Sequence, residues 1–149
     1  MGARAQPIAA RIERVIVYIT SPADVSAAQL HGFFVGWPNP PSAPAHLRIL
    51  HGSTHVVLAL DDATNNVVGF ITAISDGVSC AYIPHLEVLP AYQAQGIGSA
   101  LMRRMLDQLR SLYMIDLVCD PNVQPFYERL GMRPAQGMLI RNYERQNCA

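Results

Sequence analysis

The passage over residues 86–101 constrains the fold of this chain more than any other. A β-type run ends at Val88, Leu89-Pro90-Ala91-Tyr92 follows, and Gln93-Ala94-Gln95-Gly96-Ile97-Gly98 leads into a helical run from Ser99 to about Leu112. In that run Leu101, Met105, Leu109 and Leu112 recur at helical spacing, which leaves one apolar face. Residues 114–119 then read as a buried strand. A strand, a helix and a second strand in this order are expected to close as a parallel pair with a helical crossover. Gly96 and Gly98 let the backbone turn tightly and approach a ligand with no Cβ in the way. The first N–H groups of the helix lack intrahelical partners and sit at the positive end of its dipole, an arrangement suited to phosphate or pyrophosphate. An ordinary turn before a helix would use the same two glycines. No Lys-Ser/Thr follows them, which excludes a P-loop. Leu101 stands where a dinucleotide fingerprint has its third small residue, and the preceding strand belongs to a hairpin, which excludes that motif too.

The rest of the chain supplies the frame. Residues 15–20 are a β-branched run. Ser21-Pro22 reads as a helix start, predicting a helix over 23–34, and a proline-rich loop follows over 36–41. A second helix is expected over 42–50, ended by Gly52. Strands over 55–60, 67–75 and 79–88 are joined by turn chemistry at 61–66 and by Asp76-Gly77, giving an antiparallel meander. Pro84 falls inside the third of these and removes a ladder donor, so a bulge is expected there. After the 114–119 strand, Asp120-Pro121-Asn122 turns into a helix over 123–130, stopped by Gly131, and 138–143 reads as a final strand. Arg103 and Asp107 are spaced to pair across one helical turn. The fold class is α/β with a mixed sheet (α+β), formed by a single domain over 1–149 with a flexible tail over 1–12.

With half of its 149 residues hydrophobic and 15% charged, the chain can bury a core of ordinary size. Eleven basic and eleven acidic side chains cancel, leaving no basic field for nucleic acid. No apolar run approaches the ~18 residues that span a bilayer, and the N-terminus lacks a signal-peptide core. Cys80, Cys119 and Cys148 are odd in number and widely spaced, which argues against disulfides or zinc and for a reducing, cytoplasmic setting. His51 and His55 flank Gly52-Ser53-Thr54, a poor helix, so no metal is expected there.

Leu86-Glu87-Val88 through Gly98-Ser99-Ala100-Leu101 closely resembles the acetyl-CoA motif of the GNAT superfamily of N-acyltransferases. In that motif an Arg/Gln-x-x-Gly-x-Gly/Ala loop follows a strand end, and here Gln93, Gly96 and Gly98 fill it. Asn122, then Pro125-Phe126-Tyr127-Glu128-Arg129-Leu130-Gly131-Met132, is similar to the family's second conserved segment. The resemblance implies a GNAT-like fold: an antiparallel meander, then a splayed parallel strand pair, with helices on both faces. It implies acetyl-CoA as cosubstrate and an amine as acceptor. The pantetheine arm would lie between the splayed strands near Leu86 and bond the Val88 backbone. Gln93, Ala94, Gln95, Gly96, Ile97, Gly98 and Ser99 would cradle the pyrophosphate. Asn122 would contact the pantetheine, and Tyr127 would stand near the sulfur as the general acid.

Three departures matter. The phosphate loop carries no Arg or Lys, so backbone N–H groups must serve, or Arg103, Arg104 or Arg129 must compensate. Tyr82 occupies the position where several relatives place a general base. Glu87 is the catalytic candidate in its stead, with His85 and a water relay as alternatives. By strict alternation His85 and Glu87 face away from Tyr82, Pro84 and Leu86, unless the bulge at Pro84 rotates the register. Phe33 and Trp37, with Tyr82, are expected to wall an acceptor groove, with at least one of Phe33 and Phe34 in the core. A small amine, an amino acid or a protein N-terminus all fit such a wall. A homodimer is compatible with this reading, and so is a non-catalytic acyl-CoA-binding sensor or partner domain on the same fold.

Overall fold

A computed structural model describes residues 13–149. The tail expected over 1–12 lies outside the described residues. Five strands form one sheet in sequence order: β1 Ile16–Ile19, β2 His55–Asp61, β3 Asn66–Ser75, β4 Cys80–Val88 and β5 Met114–Asp116. The first four pair antiparallel, and β5 pairs parallel to β4 through the helix α2, Ile97–Gln108. The helix α1, Ala43–Gly52, begins at Ser42, whose hydroxyl accepts from the Ala45 N–H, and has proline in its first turn.

Both faces of the sheet are covered, which is why β2 and β3 read as nearly continuous apolar runs. Val57, Ala59, Val68 and Ile71 pack with Leu101, Met102, Met105 and Leu109 of α2. Val56, Leu58, Leu60 and Phe70 pack with Leu50 of α1 and with Leu30 and Phe34. Gly69 lets α2 sit this close to the sheet: a Cβ there would meet Leu101 Cδ1 at 3.1 Å and the Glu87 carbonyl at 3.3 Å.

The bulge expected at Pro84 is present. Thr72 faces His85 and Ile74 faces Tyr82, so Ile83 and Pro84 together oppose one residue of β3. The extra residue resets the alternation. Ala81 and Ile83 face the α2 core before the bulge, and Leu86 and Val88 pack against the same core after it. Tyr82, His85 and Glu87 are thereby brought to one side of β4, correcting the strict alternation read from sequence.

Four elements depart from expectation. No helix covers 23–34. The segment is a chain of turns with a single 3₁₀ turn at Ala27–Gln29, and Gly32 and Phe34 lie at φ +82° and +60°, which a right-handed helix cannot contain. The apolar side chains Val25, Leu30 and Phe34 reach the core from these turns, so burial is achieved without helical period. The strand expected over 114–119 stops at Asp116. The helix expected over 123–130 is a 3₁₀ turn, Pro121–Val123, followed by α3, Gln124–Glu128; Gly131 at φ +91° ends the segment as expected. The strand expected over 138–143 does not form: among the described residues the segment has no pairing partner, and it is largely open to solvent. On the surface Asp107 pairs with Arg110 at 3.4 Å rather than with Arg103.

Candidate active site

The site is built where β4 and β5 part. Their ladder holds only three pairs, Cys80 with Met114, Ala81 with Ile115 and Tyr82 with Asp116. Beyond the bulge β4 continues to Val88, while the chain after Asp116 leaves the sheet. From Ile83 onward the β4 edge facing β5 therefore has no strand beside it, and its backbone groups are available to an extended ligand. The bulge and the end of the ladder coincide, and the twist a bulge adds is a physical reason for the parting.

At the far end of β4 the chain makes a 3₁₀ turn, Pro90–Tyr92, and then a loop in which Ala94 and Gly96 take φ of +58° and +81°. Left-handed residues turn successive N–H groups toward one side, the geometry of an anion-binding nest. Gly96 is the N-cap of α2 and contributes no side-chain cap, so the N–H groups of Ile97, Gly98 and Ser99 are left for a ligand. Side chains brace the loop. Gln93 Nε2 donates to the Val88 carbonyl at 3.0 Å, and Gln95 Nε2 to the Ala91 carbonyl at 3.3 Å. That first bond takes one lone pair of the Val88 carbonyl, so the Val88 backbone keeps capacity for a ligand.

Sequence reasoning missed the second layer of this loop. Arg14 donates to the Ala91 carbonyl at 3.0 Å and lies over the Tyr92 ring, 4.6 Å from its centroid. Tyr92 donates to buried Asp61 at 2.6 Å. That hydrogen bond, with a further one from the Ala63 N–H, holds the Asp61 carboxyl below its ordinary pKa. Arg14 thus brings to the loop the cation its own sequence lacks. Arg104 instead stacks on Tyr18 at 4.2 Å. Nothing in the local sequence around Arg14 signalled this contact, which spans 77 residues.

Tyr127 lies on α3, half-buried against the α2 core, with Phe126 edge-on at 4.9 Å. Burial, with Cys119 nearby, raises its pKa above the ordinary phenol value, so it keeps its proton at neutral pH. Tyr127, Cys119, Gln124 and Tyr82 line one cleft of about 960 Å³ that runs along the β5 edge. Asn122 is exposed at the start of α3 and makes no capping bond; Val123 holds the cap position.

On the other side of the sheet, Glu87 accepts from the backbone N–H of Phe34 at 2.8 Å and of Val35 at 3.1 Å. This fixes the turn that carries Phe33 and Trp37. Phe34 is the core member of the expected pair, at 4% exposure, and Trp37 packs edge-on against it at 5.0 Å with a face to solvent. Phe33 stands edge-on to both Phe70 and His46. His46 is fully enclosed by these rings with both nitrogens unpartnered, and burial lowers its pKa to about 4. His85 accepts from or donates to Thr72 Oγ1 at 3.1 Å, and burial lowers its pKa as well. Both imidazoles are neutral at pH 7. The structure therefore gathers Glu87, Phe33 and Trp37 at one end of β4 and Tyr82 and Tyr127 at the other, with the phosphate-type loop beyond Val88. Among the described residues no group of three or more His, Cys, Asp or Glu side chains could hold a metal, and no helix is long and apolar enough to cross a membrane.

A mixed sheet whose parallel pair parts beside an uncapped helix N-terminus, with a protonated tyrosine at the parting, defines an N-acyltransferase. The profile of the Acetyltransferase (GNAT) family matches residues 23–132, and the chain belongs to that family. A crystal structure from Deinococcus radiodurans R1, described as of an acetyltransferase, is 48% identical over 89% of this chain and 92% of its own, with a TM-score of 0.86. The GNAT family protein SP0256 of Streptococcus pneumoniae TIGR4 is 31% identical over 86% of this chain and 98% of its own, with a TM-score of 0.70. The uncharacterised N-acetyltransferase ycf52 of Porphyra purpurea is 29% identical over 81% of this chain and 72% of its own length.

Proposed function

We propose that the protein transfers an acetyl group from acetyl-CoA to a primary amine of a small molecule or peptide, by direct attack with both substrates bound. The observation that carries this reading is the parting of β4 and β5 after Tyr82 and Asp116, with Tyr127 at its mouth and the open α2 N-terminus at its end. The residues fit the cosubstrate. The N–H groups from Gly96 to Ser99 would hold the pyrophosphate, Arg14 adding positive charge close by. The free edge of β4 near Leu86 and Val88 would pair with the pantetheine amides, and Asn122 has its side-chain amide available from the opposite bank.

The chemistry is a substitution at the thioester: the amine nitrogen bonds the carbonyl carbon and the carbon–sulfur bond breaks. Backbone N–H groups of the unpaired β4 edge stabilise the oxyanion. Tyr127 donates its proton to the departing sulfur; burial keeps the phenol protonated, so the proton is in place when the thiolate leaves. Glu87 holds the turn bearing Phe33 and Trp37 with both carboxylate oxygens, so its first duty is to position the acceptor wall. Lone pairs remain on those oxygens, and through a water they would accept the proton the amine gives up. Tyr82, exposed on the same side of β4, completes the wall toward the thioester. Cys80, Cys119 and Cys148 are free thiols, which suits a reducing cytoplasm.

The test is acetyl-CoA titration by calorimetry, followed by turnover against a panel of amines. One-site binding with turnover supports the reading. Binding with no turnover on any amine would leave the acyl-CoA sensor reading, and no binding at millimolar acetyl-CoA would refute both.

A further inference from the structure

The turn ahead of the phosphate-type loop is held from outside the stretch that matches the family. Arg14 precedes residue 23, where that match begins. It stands at the head of β1, and the Asp62 N–H donates to the Val15 carbonyl at 3.0 Å, which ties that head to the end of β2. From there Arg14 Nη1 donates to the Ala91 carbonyl at 3.0 Å, and the guanidinium covers the Tyr92 ring at 4.6 Å from its centroid. The Tyr92 hydroxyl donates in turn to Asp61 Oδ2 at 2.6 Å. Asp61 is 3% exposed, and its other oxygen accepts from the Ala63 N–H at 2.9 Å. Asp61, Tyr92 and Arg14 therefore make one line of contacts from the corner of the sheet to the turn that opens the loop.

The loop needs such a hold for two reasons. Ala94 lies at φ +58°, a backbone that a residue with a Cβ keeps only where its surroundings enforce it. The loop's own braces are the Gln93 and Gln95 amides, and Gln95 shares the Ala91 carbonyl with Arg14. The second reason is charge. Residues 89–99 carry no ionisable cation or carboxylate, so an anion there meets only backbone dipoles from the loop itself. Arg14 is the cation in contact with this turn. Among the described residues its guanidinium makes one hydrogen bond and no ion pair, so most of its donors remain available. Arg104, an alternative on α2, is seated on Tyr18 instead.

We propose that Asp61, Tyr92 and Arg14 act as one positioning unit for the phosphate loop, and that Arg14 sets the preference for a thiol arm that bears phosphates over one that bears none. The proposal rests on the reading of this loop as the cradle of the CoA pyrophosphate. Asp61 fixes the Tyr92 hydroxyl, and the ring gives the planar guanidinium a flat seat. The seated guanidinium holds the Ala91 carbonyl, which fixes the turn leading into Ala94 and Gly96, and its charge acts on the anion in the loop. Removal of the Tyr92 hydroxyl would therefore weaken phosphate binding although Arg14 is still present.

The experiment titrates the full chain with three probes, CoA, pantetheine and inorganic pyrophosphate, following the amide resonances of Ile97, Gly98 and Ser99 and of Leu86 and Val88. Arg14→Gln should raise the Kd of CoA and of pyrophosphate about tenfold, the size of one lost charge-assisted contact, and leave that of pantetheine unchanged. The advantage of the parent over this variant should shrink as salt is added. Arg14→Lys should restore the salt dependence and part of the affinity. Tyr92→Phe should weaken CoA and pyrophosphate in the same sense, and should cost little more when combined with Arg14→Gln. Unchanged CoA and pyrophosphate affinity in Arg14→Gln overturns the proposal. An equal loss for pantetheine does so too, since it would mark a general loosening of the fold, and so do losses from the two variants that simply add. A parent that binds pyrophosphate and not CoA would refute the acetyl-CoA reading alone, and the pyrophosphate arm would still decide the role of Arg14. A parent that binds neither would refute both.

Discussion

Lowering the pH should strip stability from this protein through His46 before any carboxylate titrates appreciably. The ring is 1% exposed, enclosed by Phe33, Phe34 and Phe70, and neither nitrogen has a partner. Burial, with His85 adding a like charge when protonated, lowers its pKa from 6.5 to about 4. A depressed imidazole pKa means that the unfolded chain binds the proton first. Stability is thus intact above about pH 6.5, falls as the pH drops toward 4, and levels off below. The full shift corresponds to about 3 kcal/mol, and the portion expressed between pH 7.5 and pH 5 is about 2 kcal/mol. His85 is shifted in the same direction and adds to the trend. The assay is urea unfolding at a series of pH values for the parent and for His46→Leu, which keeps an apolar side chain in the cage and removes the proton site. The parent should lose about 2 kcal/mol more than the variant between pH 7.5 and 5. Parallel pH dependence of the two proteins would refute the argument and would mean that the His46 cage admits water. The consequence for function is local, because the same rings support Trp37 and the acceptor wall.

Three further outcomes follow from the site. Tyr127→Phe should lower kcat about a hundredfold with little change in acetyl-CoA binding, since the lost hydroxyl acts on the leaving sulfur; full turnover in that variant would remove Tyr127 from the chemistry. Glu87→Ala frees the Phe34 and Val35 N–H groups and should raise the amine KM about tenfold while leaving the acetyl-CoA KM unchanged. A loss confined to kcat and recovered at high pH would assign Glu87 to proton transfer instead. Gly96→Ala forces a side chain to φ +81° and should cost about 1 kcal/mol of stability and weaken acetyl-CoA binding measured by calorimetry, whereas unchanged affinity would argue against this loop as the phosphate cradle.

What could be read from the sequence was local. The meander, the βαβ crossover, the Ser42 start of α1 and the bulge at Pro84 follow from alternation, period, caps and a missing N–H, all of which act over a few residues. The Gly96-x-Gly98 loop and the segment around Tyr127 were legible for the same reason: each needs particular residues at fixed spacing. Distance in the chain hid the rest. The clamp of Glu87 on Phe34 and Val35 joins groups about fifty residues apart, and Arg14 reaches Ala91 across 77. Neither end of such a contact has a composition that announces the other. Residues 23–34 read as helix because Ser21-Pro22 suits a helix start, but Phe34 packs among His46 and Phe70 with a left-handed backbone, and packing overrode the local signal. The segment 138–143 shows the converse. Its sequence specifies a strand, but a strand needs a second row of hydrogen bonds beside it, and among the described residues the tertiary structure brings none to this segment. Sequence determined which pieces could form; only the folded arrangement decided which of them met.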